Sequence, residues 1–456
     1  METTRSVPKN MQYILRSLGQ FQTQRVQLSP TSNNKVSSGQ PVTVRLPTTG
    51  MIDLHSFAMA FTATCTANNI ASAVFGPGAA PGCSVVFPKY TSTLIKRLEV
   101  LVGGAQADNI TDYNRLYRAL LPIHGGFMFV GNQAPSGWTD LASPTGTGVD
   151  AATSATNIQQ ANLPGVIDHF MGFMSGNPRI IDASLFPPIE LRITLADGGI
   201  LEPASNSADT VNYVAGVQVA PINPRFELDN IHFSIQTYRF VDDMISSIFY
   251  NQLAQGATLP FQWKTWSGTA SSVGAGTQHA IKSTISNASA SKVLTVMTSS
   301  TSAESNQVAG EVHQMFDHPS FGQVTQWQYD INGNYQTPTY LTPVYETWLN
   351  SVYAFNDQGN FMSPVAKNTG YGIPAPGATA AEIGSYYFKN FAMIVPLNMP
   401  CAGDDYQTGL DTRGTASVVV LRITGLTNLP AKTFYTWVES EARMDIGAGR
   451  QSLIQL

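Results

Sequence analysis

The sequence predicts an all-β protein built as two tandem β-sandwiches of about eight strands each, with a few short helices. Three observations carry this. Apolar and polar residues alternate along many short segments, the signature of half-buried antiparallel strands. Runs of Gly, Pro, Ser and Asn, the residues of turns, separate those segments. Four landmarks also recur in the same order, at an offset of about half of the 456 residues.

The strands come in order. PVTVRLPTT sets Val42, Val44 and Leu46 on one face, and MIDLHSFAMAFTATC continues with Ile52, Leu54, Phe57, Met59 and Phe61. In LIKRLEVLVGG the alternation sets Leu94, Lys96, Leu98, Val100 and Val102 against Ile95, Arg97, Glu99 and Leu101. IELRITLAD sets Ile189, Leu191, Ile193 and Leu195 against Glu190, Arg192 and Thr194, and NIHFSIQTYRF follows with Ile231, Phe233 and Ile235. In the second half LPFQWKTWSG alternates Leu259, Phe261 and Trp263 with polar neighbours. HAIKSTIS, KVLTVMTSS, TQWQYDI, YYFKNFAMIVPL, SVVVLRIT and FYTWVESEARM are further strand segments.

Helical spacing occurs in few places. Asp112 to Leu121 has Tyr113, Leu116, Tyr117 and Leu120 in register. PVYETWLNSVYAF has Val344, Trp348, Val352 and Phe355, with Thr342 as N-cap before Pro343. RFVDDMISSIFYNQLA, with Phe240, Met244 and Ile248, lies at mid-chain, and KNMQYILRSLGQF is a short amphipathic segment ending near Gly19. Composition assigns Gly131–Gly165, GTASSVGAGTQ, SSTSAESNQVAGE and KNTGYGIPAPGATAAEIGS to loops.

The repeat is read from order. The strand ending in Gly103-Gly104 is matched by one ending in Asn332-Gly333, and each is followed by a helix led by Tyr113 or Tyr345. Each half then reaches LRIT, Leu191–Thr194 and Leu421–Thr424, and each ends with one more strand. The first half carries an insertion, Ala196 to Pro224, that the second half mostly lacks. Leu191 and Ile193, like Leu421 and Ile423, are expected to point into two cores from equivalent strands. The resulting organisation is an arm at 1–28, a first sandwich at 29–240, a linker helix at 241–256, a second sandwich at 257–445 and a tail at 446–456.

Charge is scarce. Asp, Glu, Lys and Arg make up 12% of the chain, against about 25% in ordinary soluble domains. Large interfaces between copies are depleted of charge, so the composition points to an obligate assembly. The net charge of −5 argues against nucleic-acid binding by the chain as a whole. Three cysteines, Cys65, Cys83 and Cys401, form neither a disulfide framework nor a zinc pattern, which suits folding inside a cell. The first apolar cluster, Tyr13-Ile14-Leu15, is cut short by Arg16 and does not read as a signal peptide. No apolar run approaches the ~20 residues of a membrane span.

On these residues the chain resembles the double jelly-roll major capsid proteins of icosahedral DNA viruses. That lineage takes in large eukaryotic DNA viruses, virophages, polinton-like viruses, adenoviruses and tailless phages. The likeness is strongest in Leu94 to Asp108, LIKRLEVLVGGAQAD, which is similar to a strand, Gly-Gly and Asp pattern of that family. The resemblance implies two eight-stranded jelly rolls and a structural, non-enzymatic role. It implies a homotrimer of pseudo-hexagonal outline that tiles a virion shell, touching neighbouring capsomers and minor capsid or penton proteins. It implies no cofactor. A minor vertex or spike protein, and a carbohydrate-binding sandwich, are the alternatives.

Candidate sites are sparse. Gly103-Gly104 lacks the Gly-Lys-Ser/Thr of a phosphate loop and reads as a tight turn. His313, Asp317 and His318, or Asp404, Asp405 and Asp411, are weak metal sets, and structure accounts for Trp263, Trp266, Trp327 and Trp348 better than a sugar platform. Asn109 and Asn287 sit in glycosylation sequons. The N-terminal arm carries the basic residues Arg5, Lys9, Arg16 and Arg25 and the apolar residues Tyr13, Ile14, Leu15 and Leu18. It would lie on the inner face of a shell, against genome, an internal membrane or a neighbouring capsomer.

Overall fold

The computed structural model describes residues 21–68, 85–88, 91–124, 160–203, 213–214, 217–218, 222–240, 250–299, 324–337, 392–398, 409–413, 417–429, 431–447 and 452–455, together with Glu346, Thr347, Asn350, Ala354 and Gly449. The first half holds β1 (Phe21–Leu28), β2 (Val36–Ser37), β3 (Pro41–Arg45), β4 (Met51–Asn68), β5 (Val85–Val86), β6 (Ile95–Val102) and β7 (Ala105–Thr111). Helix α1 (Tyr113–His124) follows, then β8 (Gln160–Ile167), β9 (Ile180–Asp182), β10 (Ile189–Leu195), β11 (Glu202–Pro203), β12 (Tyr213–Val214), β13 (Val217–Gln218) and β14 (Ile222–Phe240). The second half holds β15 (Leu259–Val273), β16 (Gly276–Ile285), β17 (Ala290–Ser299), β18 (Val324–Ile331), β19 (Asn334–Tyr335), β20 (Met393–Pro396), β21 (Ser417–Leu429), β22 (Lys432–Ile446) and β23 (Ser452–Gln455).

Each half is built on two antiparallel sheets, to which the first half adds two small pairs, β5 with β11 and β12 with β13. The first has the orders β1-β14-β4-β8 and β3-β10-β6-β7; the second has β15-β22-β17-β20 and β16-β21-β18-β19. Strand for strand these are the same arrangement, the two-sheet order of a jelly roll. The register agrees as well. Leu191 lies opposite Val100, and Leu421 lies opposite Tyr329. Val100 and Tyr329 each stand four residues before the second residue of the following turn, Gly104 and Gly333. In both turns two successive residues take positive φ, Gly103 and Gly104 in one and Asn332 and Gly333 in the other. Each joins its strands by a two-residue link, with Val102 facing Ala105 and Ile331 facing Asn334. A two-residue hairpin with both central φ positive is the turn whose twist suits paired strands, and Gly and Asn are the residues that tolerate it.

Alternation places the cores. Along β10 the odd positions Ile189, Leu191, Ile193 and Leu195 are buried, while Arg192 is exposed. Leu421 and Ile423 are buried in the second core beside Trp327 and Tyr329. One strand departs from the expected pattern. Lys96 was expected beside Leu94 and Leu98 on the apolar face, but it is partly exposed and Ile95 is buried instead. The register between β10 and β6 slips at Thr194/Leu195, and the extra residue turns Lys96 outward, where it pairs with Asp197 at 3.1 Å.

Several boundaries are corrected. The arm does not extend to 28, because Phe21–Leu28 is β1 and pairs in full with β14, Phe21 opposite Phe240. The tail beyond 446 is not free of the sandwich, because Ser452–Gln455 adds to the sheet against Arg443–Ile446. Of the linker helix, the described helical residues are Tyr250–Ala254, and Leu253 is buried; 241–249 lie outside the described residues. The loop assigned to 131–165 ends sooner, since Gln160–Ile167 is strand β8. Its Pro164 is tolerable at a sheet margin, and Gly165 leaves room for the Phe61 ring, which an added Cβ would approach to 2.5 Å. GTASSVGAGTQ is largely strand too, as β15 runs to Val273 and β16 starts at Gly276. Small polar residues there face solvent or a neighbouring strand, so composition alone misread them. The helix expected over 112–121 begins at Tyr113 and runs to His124. The segment KNMQYILRSLG and most of PVYETWLNSVYAF lie outside the described residues.

No atom lies within 4 Å of a Cβ built on Gly104. Gly104→Ala therefore meets the conformational penalty alone, about 1–2 kcal/mol of stability, readable as a lower urea midpoint with an unchanged slope.

Candidate assembly surfaces

One sheet has both faces covered along its central strands. On one side of β15-β22-β17-β20, Val293, Met297, Phe434 and Val438 enter the second core. On the other side Leu294, Val296 and Trp437 belong to the core of the first sandwich, which Phe261, Trp263 and Met444 join further along the strands. The sequence does this locally by making β17 and β22 apolar at both parities, as strands buried on both faces require.

The first sandwich meets that sheet with β7, α1 and a 3-10 turn at Gly172–Ser175. Phe173 of the turn packs on Phe261 and Trp263, with ring centroids 4.7 and 5.2 Å apart. Asn177 and Gln262 exchange backbone hydrogen bonds of 2.7 and 2.9 Å. The Trp437 indole N–H donates to the Thr111 carbonyl at 3.3 Å, and the Arg115 guanidinium lies 4.6 Å over the Tyr435 ring. Gly268 faces the Trp437 indole, where an added Cβ would come within 2.7 Å. Asp108 of β7 is buried and joins this seam through the Thr265 hydroxyl.

Among the described residues nothing comparable covers the equivalent face of the first sandwich, on β1-β14-β4-β8. Its outward residues are polar or small: Arg25, Ala60, Thr62, Thr64, His232, Ser234 and Gln236. Arg25 donates to the Ser234 hydroxyl at 3.0 Å, Thr237 to the Gln24 carbonyl at 3.0 Å, and Thr62 to the Asp229 carbonyl at 3.1 Å. At its margin Lys35 pairs with Glu227 at 2.8 Å, which raises the Lys35 pKa.

Below the seam a buried carboxylate anchors the Gly176–Arg179 segment. Asp53 of β4 is 1% exposed and takes both arms of Arg179, at 2.7 and 2.6 Å. The His55 amide donates to the same carboxylate at 3.1 Å, and the His55 ring contacts the Gly176 carbonyl at 3.0 Å. The Asn177–Pro178 peptide in this segment is cis.

The other candidates fall in different places. Arg25 is a strand residue of β1, not part of a free arm; its seven companions, Arg5, Lys9, Tyr13, Ile14, Leu15, Arg16 and Leu18, lie outside the described residues. So do His313, Asp317, His318, Trp348, Asp404 and Asp405. Asp411 pairs with Arg413, whose hydrogen bonds hold its carboxyl down to about 2. Among the described residues no three His, Cys, Asp or Glu side chains gather to hold a metal ion. Trp263, Trp266 and Trp327 are buried. The Asn109 side chain accepts from Arg97 at 2.8 Å, and the Asn287 amide bonds Ser440 and Ser267. Gly103 and Gly104 line an open cleft of about 480 Å³ with Arg45, Glu190 and Arg192, whose charges pair with one another. Sequence reading missed the seam residues Asp108, Gly172, Phe173 and Thr265. Asp108 was visible as the end of the Gly-Gly and Asp pattern, but its partners are up to 157 residues away.

Comparison with known proteins places the fold. No family model matches the chain, and no curated protein matches its sequence. Solved structures do match over nearly the full length. The Faustovirus major capsid protein aligns over 94% of this chain and 91% of its own, at 9% identity and a TM-score of 0.56. A chain of the Sputnik virophage aligns over 96% and 88%, at 12% identity and 0.53. The mavirus major capsid protein aligns over 95% and 90%, at 10% identity and 0.52. The chain shares their double jelly-roll fold.

Removing the guanidinium strands a buried carboxylate. Arg179→Ala should cost about 2–3 kcal/mol, less than the loss of a fully enclosed pair because Arg179 keeps solvent contact. Chemical denaturation of the variant measures it.

Proposed function

We propose that the chain is a structural major capsid protein, which self-assembles as homotrimers of pseudo-hexagonal outline and tiles an icosahedral virion shell. The observation that carries this reading is the full-length likeness of a duplicated jelly roll to major capsid proteins. The low charge density supports burial of side walls between copies. The uncovered face of β1-β14-β4-β8 is the counterpart of a face that the chain already covers within itself. A repeated head-to-tail contact closes into a ring, so a second copy's second sandwich would complete that face. Its polar character suits subunits that fold before they associate.

Neighbouring capsomers and minor capsid or penton proteins are the further partners. Residues 1–20, with Arg5, Lys9 and Arg16 beside Tyr13, Ile14, Leu15 and Leu18, serve as the inner contact to genome, membrane or an adjacent capsomer. They precede Phe21, which starts at the β14 end that leads into the linker. The carbohydrate-binding alternative finds no aromatic platform among the described tryptophans, which are buried. Copy number in the particle separates a major from a vertex protein.

Light scattering of the purified chain should give three times 49.1 kDa; a stable monomer at micromolar concentration would sink the trimer. Ala60 lies outward at the centre of the uncovered face. Ala60→Arg should weaken trimerisation at least tenfold while shifting monomer stability by no more than about 0.5 kcal/mol. Retention of the trimer by this variant would remove the face from the interface.

A further inference from the structure

Asp108 stands where the two sandwiches touch, and it has more partners than a surface carboxylate would. The Asn109 amide donates to Oδ1 at 2.9 Å, and the Thr265 hydroxyl bonds the same oxygen from the second sandwich. The Phe173 amide donates to Oδ2 at 2.7 Å. One carboxyl thus ties β7, the Gly172–Ser175 turn and β15. The turn fits only because Gly172 has no side chain: its φ is +78°, and a Cβ there would sit 2.0 Å from Oδ2.

Among the described residues no cation bonds the Asp108 carboxyl. From α1 the facing titratable group is the Tyr113 phenol, which bonds the His169 carbonyl and the Met171 amide and which burial keeps neutral. One turn away Asp112 and Arg115 attract each other, and Arg115 lies on Tyr435. On β15 the neighbouring Lys264 is drawn 3.5 Å from Glu439. The Gly172–Ser175 turn brings no titratable side chain. A carboxylate here is held by dipoles alone, in a place that water has left.

We propose that Asp108 makes the seam between the sandwiches a pH-operated latch, tighter when its carboxyl is protonated and looser when it is ionised. The protonated form keeps every partner. The carboxyl O–H donates to the Thr265 oxygen, the Asn109 amide still donates to Oδ1, and the Phe173 amide still donates to Oδ2. The ionised form keeps those bonds but carries an uncompensated charge between two apolar cores. Burial pushes the group up from 3.8 to about 6. The sign follows. Closed, Asp108 holds its proton more tightly than when the seam is open and hydrated, so its stabilisation is full below pH ~4 and is lost as pH rises through about 6. Two pH units of separation correspond to about a hundredfold in the opening equilibrium. The latch acts within one chain, whatever the chain assembles into.

Amide hydrogen exchange on the full chain tests this. After correction for intrinsic exchange, protection of the peptide carrying Phe173 should fall ten- to a hundredfold from pH 4 to 7.5. Protection of Val324–Ile331, deep in the second sandwich, should not. In Asp108→Asn the seam profile should be flat over the same range. Protection that is constant or rises with pH in the unaltered protein would overturn the latch, as would a variant with the same slope. Should Asp108→Asn not fold, Thr265→Val serves. It removes the hydroxyl from both forms, but a bond to a carboxylate is about twice as strong as one to a neutral carboxyl, so the ionised form loses more and the midpoint should move to higher pH; an unmoved midpoint would also overturn the proposal.

Discussion

The architecture depends on one constraint: at the centre of the sheet β15-β22-β17-β20, along β17 and the middle of β22, neither face meets solvent. A sheet buried on both sides cannot alternate apolar and polar, so β17 and β22 carry Leu, Val, Met, Phe and Trp at both parities. Because the second face is completed by the first sandwich, the two units share one hydrophobic layer. Phe173, Phe261 and Trp263 pack tilted and edge-on across that layer, and removal of any such ring would open a cavity costing about 3–5 kcal/mol.

The same constraint governs the polar groups caught inside. In low dielectric each needs a partner. Thr295 and Thr436 bond each other at 2.9 Å across β17 and β22, and the Tyr329 hydroxyl lies 2.6 Å from Thr295. The Trp327 indole N–H donates to Thr347 at 2.8 Å, which ties a helical residue to the core of the second sandwich. Lys292 is fully buried, and its ammonium sits 3.2 Å from Glu439, which also draws Lys264. Such pairs offset their own desolvation more than they add stability, and they favour one register over its slipped alternatives. Asp108 is the exception on the seam: it is buried among neutral dipoles, with no cation among the described residues bonding its carboxyl.

Duplication gives these details an assembly logic. Two units with the same strand order present equivalent faces, one covered within the chain and one left open among the described residues. The covered face is aromatic and aliphatic, and the open one is small and polar. A permanent contact between tethered units can be as apolar as a core, whereas a face that meets water before assembly must stay soluble.

Period-two alternation and turn chemistry were enough to place most strands, because burial on one face leaves its mark at every second residue. The LRIT pair and the two positive-φ turns identified equivalent strands because register, turn and core position are coupled through fixed residue spacing. Legibility failed where alternation carries no burial information. β1 and β23 lie at sheet margins and are largely polar or exposed, so they read as arm and tail. β8 contains Pro164 and Gly165 and reads as loop. The slip at Thr194/Leu195 reversed Lys96 and Ile95, since a bulge adds a residue that the partner strand does not signal. By itself the sequence determined an all-β, duplicated, charge-poor chain, because those properties reside in local pattern and composition. Only the tertiary structure decided which strands lose both solvent faces, and that a carboxyl from residue 108 meets a hydroxyl from residue 265. Those contacts join segments far apart along the chain, and neither segment alone encodes its distance from the other.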